Sequence, residues 1–456
     1  MNQAYQHHPN TIPMSRVIRT WWPLAASWLL MGAELPLISA VIARLANPEI
    51  NLAAYGGVVS PLALIVESPI IMLLAASTAL SKDWTSYQKM RRYMMSAGAL
   101  LTLLHALVAF TPLYHVVVVD TLGVPPEIVA PARLGLMLLL PWTWSIAYRR
   151  FNQGVLIRFG HSQAVGIGTV IRLSADVLVL IIGYSIHSLP GVAVAACAVS
   201  AGVLSEAVYA GIVVRPVLRD QLRLAAPVNP ELSYRMFFSF YIPLAMTPLL
   251  AYLINPIGSA AISRMPDALA SLAAWPVVSG LVFMVRSLGV AFNEVVVALL
   301  DEHGSTRNLR RFTFGLAGIT TLVLVLIAAT PLSRLWFVVV SALPPDLARM
   351  SQIGVWIALP MPALSVLQSW FQGAILHSKV THGITEAVVI FLASSAVWLG
   401  AGIAWGAVSG LYVALGSFVI SMLLQTAWLW YRSRQVLHSV RVRDESLHVV
   451  EVLPAH

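Results

Sequence analysis

The sequence predicts an all-α integral membrane protein: twelve transmembrane helices in two six-helix lobes related by an internal repeat. Three observations carry that prediction. The composition is too apolar for a water-covered surface, twelve apolar runs have bilayer length, and the second half repeats the first at nearly constant spacing. Of 456 residues, 58% are hydrophobic and 10% charged, against roughly 25% charge in a soluble domain. Mean hydropathy is +0.80. The formal net charge of +9 is scattered in short clusters between apolar runs, which argues against nucleic acid as a partner. The single cysteine, Cys197, excludes a disulfide scaffold and any zinc site built on several thiolates. The polar opening MNQAYQHHPNTIPMSRVIRT, with no small-residue cleavage site closing the apolar run after it, predicts no cleaved signal peptide.

A helix needs about 20 residues to cross the hydrocarbon. Such runs fall at 21–43, 54–80, 94–115, 131–156, 165–188 and 191–214, then at 236–262, 272–299, 312–331, 352–376, 384–405 and 408–430. Barrel strands would be about ten residues long and alternate in polarity; these runs are longer and uniformly apolar. Lysine and arginine orient them. With both ends cytoplasmic, 22 basic residues fall on the inner side, while Arg44, Arg133, Arg264, Arg334 and Arg349 fall on the outer side and Arg286 is left in mid-span. Residues 1–20 then form a cytoplasmic tail, and 21–220 the first lobe with the start of the linker. Residues 221–430 form the rest of the linker and the second lobe. Residues 431–456 are a tail expected on the inner membrane surface or disordered.

The repeat is read from register. Trp22-Pro23-Leu24 returns 220 residues later as Ile242-Pro243-Leu244, and Pro36, Ser39 and Arg44 meet Pro256, Ser259 and Arg264. After one gap the offset is 219. Arg91-Arg92 then pairs with Arg310-Arg311, Thr111-Pro112-Leu113 with Thr330-Pro331-Leu332, Pro125-Pro126 with Pro344-Pro345, and Gln153-Gly154 with Gln372-Gly373. Hydrophobicity alone does not put arginine pairs and Gln-Gly in constant register. A duplication after six helices keeps both halves in one orientation, with an axis along the membrane normal and a cleft between them, as alternating access requires.

Ionisable groups in hydrocarbon cost at least about 2.5 kcal/mol each, so each needs a reason. Glu34 lies mid-span two residues before Pro36, which frees a backbone carbonyl and kinks the helix. It reads as a coupling or substrate site, or else as a satisfied structural carboxylate. Asn255 precedes Pro256 at the related position and reads as a helix–helix hydrogen bond or a ligand. Glu67 aligns with Arg286, and the two are placed to pair across the cleft, or each is satisfied within its own bundle. Arginine stays charged wherever it lies, so Arg286 suits an anionic substrate group. Glu294 is a candidate inner gate or proton carrier, or an interfacial carboxylate.

Gln153 and Gln372 read as cleft-lining amides or close-packing markers. Arg149 and Arg150 read as anion collectors at the inner mouth or as orienting charges. Arg172 and Asp176 have the i, i+4 spacing of a local pair. Glu206 and Glu386 are left without a role, the latter at a helix end. Trp21 and Trp22 read as an aromatic belt. No phosphate-binding Gly-rich loop, HExxH or Cys/His cluster occurs, and His7, His8 and His456 sit in polar tails.

On these residues the chain resembles the multidrug and toxin extrusion (MATE) transporters of the multidrug, oligosaccharidyl-lipid and polysaccharide exporter superfamily. Within that group it is most similar to the progressive ankylosis protein branch, in Trp22-Pro23-Leu24, Ile242-Pro243-Leu244, the VRSLGVAF run from Val285 and Phe371-Gln372-Gly373-Ala374-Ile375-Leu376-His377. The resemblance spans about 15–435. It implies secondary export driven by a proton or sodium gradient, with Glu34 in the first-span coupling role and no matching carboxylate in the seventh span. The ankylosis branch implies anions such as citrate or pyrophosphate, which suit Arg286.

The expected function is therefore a non-enzymatic exporter of small organic solutes, anionic or of multidrug type, in the inner membrane. It would need no cofactor beyond a coupling H+ or Na+, its partners being the substrate and membrane lipids, and it would act as a monomer. The alternative is a flippase for a lipid-linked precursor.

Overall fold

The computed structural model describes residues 12–302, 304–378 and 382–452, with side chains to 444 in the last stretch. His7, His8, Lys379 and His456 lie outside the described residues. Among the described residues every regular element is a helix, as hydrocarbon demands of a chain that must satisfy its own backbone.

The spans are α1 (Met14–Ile42), α2 (Pro48–Leu80), α3 (Trp84–Phe110), α4, α5 (Ser162–Ile186) and α6 (Gly191–Leu224), then α7 (Tyr234–Ile262), α8 (Ala268–Leu299), α9 (Ser305–Ala329), α10 (Pro345–His377), α11 (His382–Trp405) and α12, whose apolar part is Gly410–Asp444. Eleven of these are single helices; the fourth, α4, is a bent pair, Pro126–Leu138 and Leu140–Arg158, long and apolar enough to cross when counted as one and turning by 41°, where Pro141 offers no N–H to close the turn. The segment from 431, expected as a separate tail, instead continues α12 as helix to Val452. Packing explains the extension. Val440 is buried against a cluster with Val17, Leu300 and Leu309, and the Asp444 carboxylate accepts from the Thr306 backbone N–H at 3.1 Å and hydroxyl at 2.6 Å.

The helix contacts are parallel in the two halves. The fourth span packs on the second, third and sixth, with the fifth on the sixth; likewise α10 packs on α8, α9 and α12, with α11 on α12. Between the halves α1 lies along α8, and α2 against both α7 and α8. The windows of α6 and α8 are 67% and 61% buried, that of α5 only 17%, so the core sits on α6 and α8. Side chains such as Leu100, Ile319 and Val397, 61–68% exposed, form an apolar outer face too extensive for water.

The local geometry repeats at the sequence offsets. Short π-helical segments at Val116–Thr121 and Leu335–Val340 follow the third and ninth spans. A Cβ at Gly154 would lie 2.4 Å from the Leu74 carbonyl and 2.6 Å from the Ser77 Cβ; one at Gly373 would meet the Val296 Cβ at 2.6 Å and the Asn293 carbonyl at 3.3 Å. Trp21, which the sequence placed in an aromatic belt, instead donates its Nε1–H to the Leu288 carbonyl at 2.9 Å. Its counterpart Tyr241 donates its hydroxyl to the Pro69 carbonyl at 2.5 Å. Both bonds cross between the halves. Trp22 is 61% exposed.

Gly154→Ala forces α2 away from the fourth span and should destabilise the protein by about 1–3 kcal/mol. Gly166→Ala, where a Cβ meets nothing within 4 Å, should stay within about 0.5 kcal/mol. Thermal unfolding of both variants in detergent checks the difference.

Candidate functional site

Most of the charges in the spans gather in the first half. Arg149, 5% exposed, donates through Nη1 to the Oε2 of Glu206, which is 1% exposed. Gln153 donates to the other Glu206 oxygen at 2.8 Å. Arg172 donates through Nη2 to Glu34 Oε2, and its Nε stands 4.0 Å from Glu206 Oε2. Four helices are thereby joined: α1 by Glu34, α4 by Arg149 and Gln153, α5 by Arg172 and α6 by Glu206. Buried pairs of this kind hold only when both members are present, since one ion alone in low dielectric costs several kcal/mol.

Two more carboxyls border this cluster. Asp176 is 2% exposed, and neither of its oxygens has a hydrogen-bond partner among the described residues. It lies against Gly202 of α6, where a Cβ would come within 1.7 Å of Oδ1, so only glycine leaves the carboxyl its place. The expected local Arg172–Asp176 pair does not form, because the guanidinium reaches across to α1 instead. Glu67, 7% exposed, is the other mid-span carboxyl of this half. Together the mid-spans of the first half hold four carboxyls (Glu34, Glu67, Asp176, Glu206) and three guanidiniums (Arg149, Arg150, Arg172).

At the junction that matches Arg149 and Glu206, the second half has the contact without the charges. At the positions of Arg149 and Glu206 stand Gln368 and Gln425, joined by an amide hydrogen bond of 3.2 Å. Arg172 and Asp176 are matched in register by Phe391 and Ser395. The charge that α8 retains in mid-span is Arg286. The expected pairing of Glu67 with Arg286 across the cleft is absent here: Arg286 donates through Nε to the Ser365 hydroxyl at 2.7 Å and has no carboxylate in ion-pair contact among the described residues. It lines a cavity of about 210 Å³ with Gln372, Gln368, Asn293, Glu294, Ser369 and Trp28 of α1. Asn255 donates to the Tyr252 carbonyl of its own helix at 3.1 Å, and so does not bridge helices. Arg149 is committed to Glu206 and not open at a mouth.

Sequence reasoning gave no role to Glu206, the hub, and assigned Arg172 to the wrong partner. The register carried a signal for both, since the repeat-related positions are uncharged.

At the end away from Met14 the halves hold each other reciprocally. Arg44 donates to the carbonyls of Val339 at 2.6 Å and Val340 at 2.8 Å, and to its own helix at Ala40. Arg264 donates to the carbonyls of Thr121 at 2.7 Å and Leu122 at 2.9 Å, and to Ala260.

No protein-family model matches the chain, and no curated protein matches it. Solved structures do. An inward-facing multidrug resistance MATE family transporter of the MOP superfamily aligns with a TM-score of 0.70 and 12% identity, covering 92% of this chain and 98% of that one. The lipid II flippase MurJ in an inward closed conformation aligns at 0.67 and 12%, covering 95% and 94%. The Vibrio cholerae MATE transporter VcmN in its bent form aligns at 0.58 and 17%, covering 94% and 99%. At these identities the likeness is one of fold: a multi-pass, all-α membrane protein with the MATE-like architecture. It does not single out the ankylosis branch.

Glu206→Gln removes the shared anion from two guanidiniums and should cost about 3–5 kcal/mol. Asp176→Asn, which breaks no bond, should cost less than about 1 kcal/mol. Chemical denaturation in detergent separates the two outcomes.

Proposed function

We propose that the chain is a secondary exporter working by alternating access between two six-helix lobes, moving a small organic anion through the Arg286 cavity and coupled to protons through the first-half carboxyls. The carrying observation is Arg286 itself, a mid-span guanidinium held by one neutral hydroxyl. Such a cation is costly in low dielectric until an anion answers it. The cavity lies between α1 of one half and α8 and α10 of the other, so movement of the halves would change it.

The two-lobe reading is supported by the paired geometry: Trp21–Leu288 with Tyr241–Pro69, and Arg44–Val340 with Arg264–Leu122. The arginine bias supports both termini lying in the cytoplasm and the chain in an inner membrane. The arginine clamps then lie at the outer end, and the Arg286 cavity on the inner half of α8. Substrate would enter from inside while the clamps hold the outside shut, and the clamps would part to release it.

Protons suit the first half better than sodium. Four carboxyls face three guanidiniums, so one proton balances the cluster, and the unbonded carboxyl of Asp176 is the place where that proton costs least. Glu34, tied to Arg172, would sense it through their shared neighbours. The flippase alternative gains from the MurJ-like fold, but a cavity of about 210 Å³ is below the roughly 300–1,000 Å³ usual for larger ligands.

In proteoliposomes with an imposed pH gradient, citrate or pyrophosphate flux should follow the proton gradient and ignore a sodium gradient. Asp176→Asn should abolish the response to pH while substrate exchange continues, and Arg286→Gln should weaken anion binding by about tenfold or more. Flux driven by sodium, or unchanged in both variants, would refute the assignment. Arg44→Gln with Arg264→Gln should open the outer side, read as faster labelling of Trp28→Cys by an impermeant thiol reagent added outside.

A further inference from the structure

Away from the contact between halves, a second cavity of about 450 Å³ lies among α3, the fourth span and α6. Four arginines line it, Arg91, Arg215, Arg219 and Arg223, and no acidic side chain does. Arg219 is paired with Asp220 at 2.6 Å. The other three have no acceptor among the described residues. Arg223 lies 4.6 Å from the ring centre of Trp84, which itself stacks on Tyr87 at 5.3 Å. The guanidinium is thus held by an aromatic face while its N–H groups stay open to a ligand.

The cavity sits at the arginine-rich ends of α3 and α6, where the spans meet the membrane surface. Leu224, directly after Arg223, is 79% exposed, an apolar side chain that belongs in lipid at that depth. Arginines converging on a pocket with an aromatic wall match a phosphate group, whose oxygens accept bidentate hydrogen bonds from guanidinium. Charges that merely set orientation need no shared cavity and no aromatic support.

We propose that this cavity is a binding site for a phosphate-ester anion at the membrane surface, held by Arg91, Arg215 and Arg223. It stands apart from the Arg286 cavity and does not depend on the transport reading.

The test uses the full-length protein in detergent, in an Arg286→Gln background so that the two cavities are not confused. Binding is followed by thermal shift during titration with phosphatidylglycerol, and separately with inorganic pyrophosphate. Arg215→Gln with Arg223→Gln should weaken binding about tenfold or more. Arg310→Gln with Arg311→Gln, which removes the same charge from the other half on the same face, should leave it unchanged. A response to phosphatidylglycerol identifies a lipid headgroup as the occupant, and a response to pyrophosphate a soluble phosphoester. If neither ligand binds, or if both double variants lose affinity equally, the site does not exist. Because all three arginines are exposed, Arg91→Gln offers a second, independent variant.

Discussion

A polar group inside hydrocarbon must find its partner within the protein, and this chain meets that demand by crossing its halves over one another. The first span leans on the eighth and the seventh on the second. At four of these contacts one half supplies a donor and the other a bare carbonyl. Trp21 and Tyr241 do this within the spans, Arg44 and Arg264 at their ends. The carbonyls taken are those of Leu288 and Pro69, close to helix breaks at Ala291 and Met72, and those at the ends of the two π-helical segments. The Arg286 cavity hangs on that crossed contact, because it brings Trp28 of α1 over Arg286 of α8.

Much of the architecture was legible in the sequence. Eleven of the twelve apolar runs became single helices long enough to cross a membrane and the other a bent pair, since length and uniform hydrophobicity are one-dimensional properties that lipid reads directly. The Gln-Gly pairs anticipated the close approach of helices at Gly154 and Gly373. What stayed hidden was partner choice. Arg172 and Asp176 are one turn apart and look like a pair, yet which way a long guanidinium turns depends on a carboxylate 138 positions away. Glu206 looked like one stray acid among several, because only the folded bundle sets it between Arg149, Gln153 and Arg172. The tail beyond 431 reads as a segment on the inner membrane surface or disordered, but its helix is pinned by Val440 and Asp444, contacts no local pattern announces.

The halves share contacts and differ in charge. Where the first half uses Arg149 and Glu206, the second uses Gln368 and Gln425 at the same junction. An amide pair preserves the geometry without ions that are costly to separate. One bundle is therefore built around a charged network whose members depend on each other, and the other around a neutral amide pair, with Arg286 held by the Ser365 hydroxyl and Glu386 paired with Arg432 at 3.1 Å.

That network has an electrical consequence. With a single proton aboard, its four carboxyls and three guanidiniums sum to zero, so a transmembrane voltage does no net work when the bundle shifts. Without the proton the same bundle carries one negative charge, and moving it across the full field would be worth about 2.3 kcal/mol per 100 mV. Membrane potential would thus act on the deprotonated network and leave the protonated one untouched.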